Sequence, residues 1–202
     1  MIQKLKPVYV LALIAAIISG LIIVVYNFTY VDTTNILTDK QAAAVTTIYG
    51  GTKDDYEIVP LTVKNDDNEN VPTELGQKLA DAGLDIAKLI RNKSDGSLAF
   101  ECLVKGYKKG FDIMVGVKDG AVAGVAIVSV GEETPGLGTN TNDPGFLNNF
   151  NGISDKATIV KTAPSAAGEV QAVTSATFSS RGVATAVNTA LEAFKTIGGE
   201  AQ

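Results

Sequence analysis

The chain has 202 residues, 19% of them charged, and a formal net charge of −5. That balance excludes a nucleic-acid surface, which needs clustered Lys and Arg. There is no histidine and only one cysteine, Cys102, so haem, zinc and Cys-ligated iron–sulfur sites lack their usual ligands, and any redox cofactor is organic or shared with a partner.

Val8 to Tyr26 carries no charge. At about 1.5 Å per residue it spans the roughly 30 Å hydrocarbon core of a bilayer. A cleaved signal peptide competes with an anchor, because Lys4 and Lys6 form a short positive n-region. The apolar run is long for that, and no small-x-small site follows Val25. Tyr26-Asn-Phe-Thr-Tyr30 reads as an interfacial aromatic belt. An uncleaved single-pass anchor in the cell membrane is expected, with Lys4 and Lys6 in the cytoplasm and the rest of the chain outside. No cysteine directly follows the apolar run, which excludes a lipoprotein. The remaining residues, about 170, suffice for one core and at most two small lobes.

Asn35 to Tyr49 reads as a helix leaving the membrane and ending near Gly50-Gly51. The acidic stretch Lys64 to Asn70 reads as a solvated loop. Pro72 to Arg91, with Leu75, Leu79, Leu84, Ile86 and Leu89, reads as a second helix despite Gly76 and Gly83. Three strands are predicted, over Leu98–Lys105, Phe111–Lys118 and Ala121–Val130. Asp119-Gly120 is the hairpin signal between the last two. Ile113, Val115 and Val117 alternate with smaller or polar neighbours, as one buried sheet face requires. Cys102, in an apolar run, reads as a buried small hydrophobe. Gly106 to Gly110 joins the first two strands. Gly138 to Gly152, rich in Asn and Gly, reads as a long loop. The last helix carries Val183, Val187, Ala190, Leu191 and Phe194 on one face, is capped by Ser179 or Ser180, and ends at Gly198-Gly199. The expected organisation is an anchor over 1–30, a helical membrane-proximal region over 31–97 and a domain over 98–202, in an α+β fold with an antiparallel sheet and flanking helices.

Two segments carry chemistry. Gln171-Ala-Val-Thr-Ser-Ala-Thr-Phe-Ser-Ser180 opens the last helix with Thr174, Ser175 and Ala176 ahead of Thr177. Small residues admit a bulky group, and a helix start offers free N–H groups and a positive dipole end that suit a phosphate. The plain alternative is a hydroxyl-rich N-cap. Glu133-Thr-Pro-Gly-Leu-Gly138 follows an apolar run, with Pro135 and two glycines fixing a tight turn. Taken alone, this turn equally well caps the strand before it.

Together and in this order, the two segments resemble the FMN-binding domain family, which includes the G-type subunit of the Rnf complex and the C-type subunit of the sodium-pumping NADH:quinone oxidoreductase. The resemblance runs from Phe100 to Phe194. It implies FMN bound through its phosphate to a threonine hydroxyl, here Thr177, by a flavin transferase that uses FAD as donor. Thr174, Ser175, Ala176 and Ser179 would surround the attachment point. Glu133, Thr134, Leu137 and Gly138 would form the opposite wall, with Thr134 and Leu137 against the ring face and Glu133 on its edge atoms. Lys161 is a candidate counter-charge, or simply a solvated lysine. The sequence departs from the family pattern at Gln171, where Asp is usual, at Ser175, where Gly is usual, and at Gly131, where His often stands.

Thr177 has no activating base nearby in sequence, so it is a modification acceptor rather than a catalytic residue. No dinucleotide or Walker motif is present. The resemblance implies an electron-carrier subunit in a complex with other membrane and iron–sulfur subunits. An Rnf-type complex couples ferredoxin–NAD⁺ electron transfer to Na⁺ or H⁺ movement. The alternatives are the C-type subunit of the NADH:quinone oxidoreductase, a non-redox envelope domain, or a stand-alone extracellular reductase.

Overall fold

The structure is a computed structural model that describes residues 2–29, 36–65 and 69–198. It divides into two compact units, Met1–Ile36 and Leu37–Gln202.

The first unit is helix α1 (Ile2–Thr29). Its stretch Tyr9–Tyr26 has a mean hydropathy of 2.7 and none of it is buried in the protein. A helix this apolar on every side has no aqueous environment that suits it, and it is long enough to cross a membrane. Tyr26 and Phe28 are exposed. Tyr30, which closes the expected aromatic belt, lies outside the described residues, as does Asn35.

The second unit begins with α2 (Asp39–Tyr49), started by a reciprocal capping box between Thr38 and Gln41 and stopped at Gly50. Next come β1 (Tyr56–Val59), β2 (Thr62–Lys64), β3 (Asn70–Pro72) and α3 (Glu74–Asp81). The loop expected over Lys64–Asn70 is therefore the link of a small antiparallel hairpin, β2–β3, though its centre lies outside the described residues.

The expected helix over Pro72–Arg91 is only half realised. Gly83, at φ = 71°, ends α3, and the Leu84 N–H turns back to the Leu79 carbonyl (2.9 Å). The chain then forms β4 (Lys88–Asn92). Leu89 and Ile90 are both fully buried, one on each face of the sheet, and a strand covered on both sides has no alternation to betray it. Region 31–97, expected to be helical, thus supplies four strands besides α2 and α3.

The main sheet adds β5 (Leu98–Val104), β6 (Phe111–Lys118) and β7 (Ala121–Ser129). Its order is β1-β4-β5-β6-β7, antiparallel throughout. The Asp119-Gly120 turn takes φ of 52° and 76°, the paired left-handed conformation a two-residue hairpin needs. Phe100, Ile113, Val115 and Val117 are fully buried on one face against α5 (Thr177–Ile197) through its Val183, Val187 and Leu191. Each such side chain contributes about 1.5–3 kcal/mol. The opposite face is covered too. Ala99, Met114 and Ala126 pack under Ala42 and Val45 of α2, so the single buried face expected from Ile113, Val115 and Val117 is one of two. A Cβ on Gly116 would lie 2.5 Å from the Ile48 side chain, which is how close α2 comes.

The segment 138–152 is not an open loop. Short helical turns, among them α4 (Pro144–Leu147), bury Phe146 and Phe150 edge-to-face at 5.3 Å. Strands β8 (Thr158–Val160) and β9 (Glu169–Gln171) form a small parallel pair that leads the chain to the start of α5.

Candidate functional site

At the first turn of α5 a cleft of about 430 Å³ opens, lined by Tyr107, Glu133, Thr134, Leu137, Gly138, Ser175, Ala176, Phe178 and Ser179. Segments 133–138 and 175–179, separated in sequence, are its two walls. A volume of that order suits a small-molecule cofactor.

Helix α5 starts without a side-chain cap. Ala176 occupies the N-cap position and offers no acceptor. Neither expected cap residue serves as one, because both stand inside the helix, past the N-cap, with their hydroxyls engaged elsewhere. Ser180 donates to the Ala176 carbonyl (3.0 Å) and accepts from the Val173 N–H (3.0 Å). Ser179 donates to Glu133 Oε2 (2.6 Å). The first backbone N–H groups of any α-helix lack intrahelical acceptors. In this helix those of Thr177, Phe178 and Ser179 are left without a cap at the edge of the cleft.

Glu133 is 4% exposed. Its Oε1 accepts from the Lys108 N–H (2.9 Å) and its Oε2 from Ser179. One carboxylate therefore ties the 106–110 loop, the 133–138 turn and the start of α5 together. Two glycines make room for it: a Cβ on Gly106 would lie 2.4 Å from Oε1, and one on Gly138 2.0 Å from Oε2. The Glu133 carboxylate, expected at a ring edge, is occupied as a brace between three segments.

Turn 133–138 is closed by the Leu137 and Thr139 N–H groups, both directed at the Thr134 carbonyl (3.1 and 3.3 Å). Leu137 is left 43% exposed, an apolar side chain presented to the cleft.

Thr177 is the first residue of α5, half-buried, between the lining residues Ala176 and Phe178. Neither Thr177 nor Thr174 itself lines the cleft. Gln171 is exposed at the end of β9 and Lys161 is exposed just beyond β8, and neither is among the lining residues. Ser175 takes φ = 62°, which explains why glycine suits that position. Gly131, at φ = 56°, lies so close to the 109–110 backbone that a Cβ would sit 2.4 Å from the Gly110 carbonyl oxygen. A histidine has no room there.

Two lining residues escaped the sequence reading. Tyr107 lies in a loop taken only as a strand connection, and Phe178 stands at the variable position inside the attachment segment. Their rings are 6.5 Å apart. The available signal was an aromatic residue in a Gly-bounded polar loop, where nothing in a core calls for one.

Residues 106–192 match the family described as FMN-binding domain, the stretch that holds both cleft walls. The likeness read from the two motifs is thereby found again in this part of the chain. The chain is similar to the G-type subunit of the Na⁺-translocating ferredoxin:NAD⁺ oxidoreductase complex of Acetobacterium woodii, 27% identical over 152 residues, covering 71% of this chain and 69% of that one. Among solved structures, the C-type subunit of the Na⁺-translocating NADH-quinone reductase of Parabacteroides distasonis shares the fold, with a TM-score of 0.51 at 17% identity over 84% of this chain and 94% of that one. NqrC of Shewanella oneidensis aligns with a TM-score of 0.47 at 22% identity, over 56% of this chain and 60% of that one.

Proposed function

We propose that the chain is a membrane-anchored electron carrier that holds FMN as a phosphoester on Thr177, working as the G-type subunit of an Rnf-like complex. The observation that supports it best is the meeting of turn 133–138 and segment 175–179 over one cleft, at the uncapped start of a 21-residue helix.

The residues present fit such a group. Uncapped N–H groups at the positive end of α5 suit a phosphate diester. Thr177 supplies a hydroxyl one residue from each of two lining positions. Leu137, Tyr107 and Phe178 offer apolar surface for a flat ring system, and Thr134, Ser175 and Gly138 complete the walls. Flavin supplies the redox chemistry when bound. The protein tethers it, shields one side and holds the two walls in register through the Glu133–Ser179 bond. The chain has no histidine, and Cys102 is buried with its thiol pushed up to about 12, chiefly by burial, so neither of these side chains serves a small substrate as proton donor. This favours a relay between partners over a stand-alone reductase.

In this proposal a flavin transferase loads the domain outside the cytoplasm, α1 anchors it with its N-terminus inside, and the other membrane and iron–sulfur subunits of the complex are its partners. Electron flow between ferredoxin and NAD⁺ would drive Na⁺ or H⁺ across the membrane.

The test is co-expression of the full chain with a flavin transferase, followed by a denaturing gel under ultraviolet light. A fluorescent band in the wild type that is absent in Thr177→Val, with unchanged thermal stability of the variant, is expected. A dark wild-type band beside a labelled control protein would rule out the attachment and leave an envelope domain as the better account.

A further inference from the structure

We infer that the basic rim around the mouth of the cleft is a docking face for an acidic redox protein, a set of charges that the cofactor-binding role by itself does not require. This rests on the assignment of the cleft to FMN.

The mouth has an apolar centre and a basic rim. Tyr107, Phe178 and Leu137 are 59%, 63% and 43% exposed. Around them stand Lys105, Lys108 and Lys109, from a loop that contains no acid, and Arg181 in the first turns of α5, all exposed. Contacts hold the four in one region. Gly182, next to Arg181, packs so tightly on the loop that its Cβ would be 3.2 Å from Gly106 Cα and from the Lys105 carbonyl oxygen. Lys108 Nζ is 5.8 Å from the Tyr107 ring centroid, and that ring is 6.5 Å from Phe178.

None of the four cations pairs with an acid among the described residues. Elsewhere, pairing is common: Lys53 with Asp39, Arg91 with Glu57, Lys118 with Asp95 and Lys195 with Asp155. Glu132 is the exposed acid nearest in sequence to the cleft wall. In a chain of net charge −5, four unmatched cations around exposed aromatics are a local reversal of sign.

A charged rim around an apolar centre is the layout of a protein interface, and with FMN seated against the aromatics the rim and the outer edge of the cofactor would form that layout together. The sign of the rim selects an acidic partner and speeds encounter. The loop is also held in place, because the Lys108 N–H is bound to buried Glu133 and the Gly106 N–H to the Lys108 carbonyl (3.1 Å). Little ordering remains to be done on docking. The partner is then a protein carrying a one-electron centre. With FMN bound, docking on this rim would bring such a centre within reach of the cofactor for transfer of one electron per encounter, with no bond made or broken.

The test uses the full chain in non-ionic detergent, with and without FMN, titrated with the soluble domain of cytochrome b5 as an acidic probe and cytochrome c as a basic one. Cytochrome b5 should bind both forms and weaken steeply with added salt. The triple variant Lys105→Gln, Lys108→Gln, Lys109→Gln should bind it about tenfold more weakly, with most of the salt dependence gone. Preference of the wild type for cytochrome c, or undiminished binding by the triple variant, overturns the proposal. So does loss of cytochrome b5 binding on FMN loading, which would mean that the cofactor itself covers the patch. A triple variant that loses only its affinity for anionic lipid vesicles would assign the face to the membrane instead. Binding is measured on the FMN-free chain as well, so failure of flavin attachment leaves this result standing and is recognised separately on the gel.

Discussion

Ser175 holds a left-handed backbone conformation, φ = 62°, that costs an ordinary L-residue about 1–2 kcal/mol. The site keeps it because the chain must turn sharply between Thr174 and the start of α5. Ser175→Gly should relieve the strain, less the added freedom of the unfolded chain, for a net gain of about 0.5–1 kcal/mol. Thermal melting of the full chain should show a rise of roughly 1–4 °C. Glu133 poses the opposite case. Glu133→Ala leaves Ser179 and the Lys108 N–H without their buried acceptor, at a cost of about 2–3 kcal/mol, and frees the 106–110 loop. Hydrogen exchange at Lys108 should accelerate in that variant while amides in the middle of β6 stay protected relative to global opening.

At the scale of elements, α2 covers the sheet with a polar contact as well as an apolar one. The Gln41 amide donates to both oxygens of buried Glu101 (2.8 Å each), and Lys88 Nζ reaches Gln41 Oε1 (3.4 Å). On the neighbouring strand, Asp112 Oδ1 is shielded from water and unpaired among the described residues. Burial first, then the charge of Glu101 and a bond to it, push the Asp112 carboxyl from 3.8 up to about 7, against the opposing Lys88. A carboxyl raised in the folded state favours the folded protein when protonated. Stability from this group is therefore greatest below its unfolded value and is lost as pH rises through about 7. Urea midpoints should fall between about pH 4 and pH 7 and level off above it, and Asp112→Asn should flatten that slope. Nothing in the local sequence announced this pair. Glu101 and Asp112 stand eleven positions apart and meet only through the β5–β6 register that sets Leu103 against Asp112 and Glu101 against Met114.

At the scale of the whole molecule, an apolar α1 and a compact second unit have different solvent needs. The full chain should sediment with membranes and resist extraction by salt and alkali, whereas residues 37–202, which hold their own core, should remain in solution. Recovery of the full chain in the soluble fraction without detergent would contradict the anchor. The expected membrane-proximal helical region did not survive as a separate layer. Its β4 pairs with β5 from Lys88↔Glu101 to Arg91↔Leu98, placing a strand from region 31–97 inside the main sheet.

What the sequence determined by itself was whatever depends on short-range chemistry. The apolar Tyr9–Tyr26 run, the Asp119-Gly120 hairpin, the helical period of α5 and the two cofactor motifs are all local, and each takes its form from the residues next to it. The tertiary structure decided what depends on burial from both sides and on distant partners. β4 looks helical until two covering layers make it a strand. Glu133 reads as a cleft residue in the sequence, and only the fold adds the bracing role, by closing Gly106, Lys108 and Ser179 around its carboxylate. Tyr107 and Phe178 become one cleft mouth only because α5 can approach the 106–110 loop at Gly182, a contact between residues some seventy positions apart that no local pattern encodes.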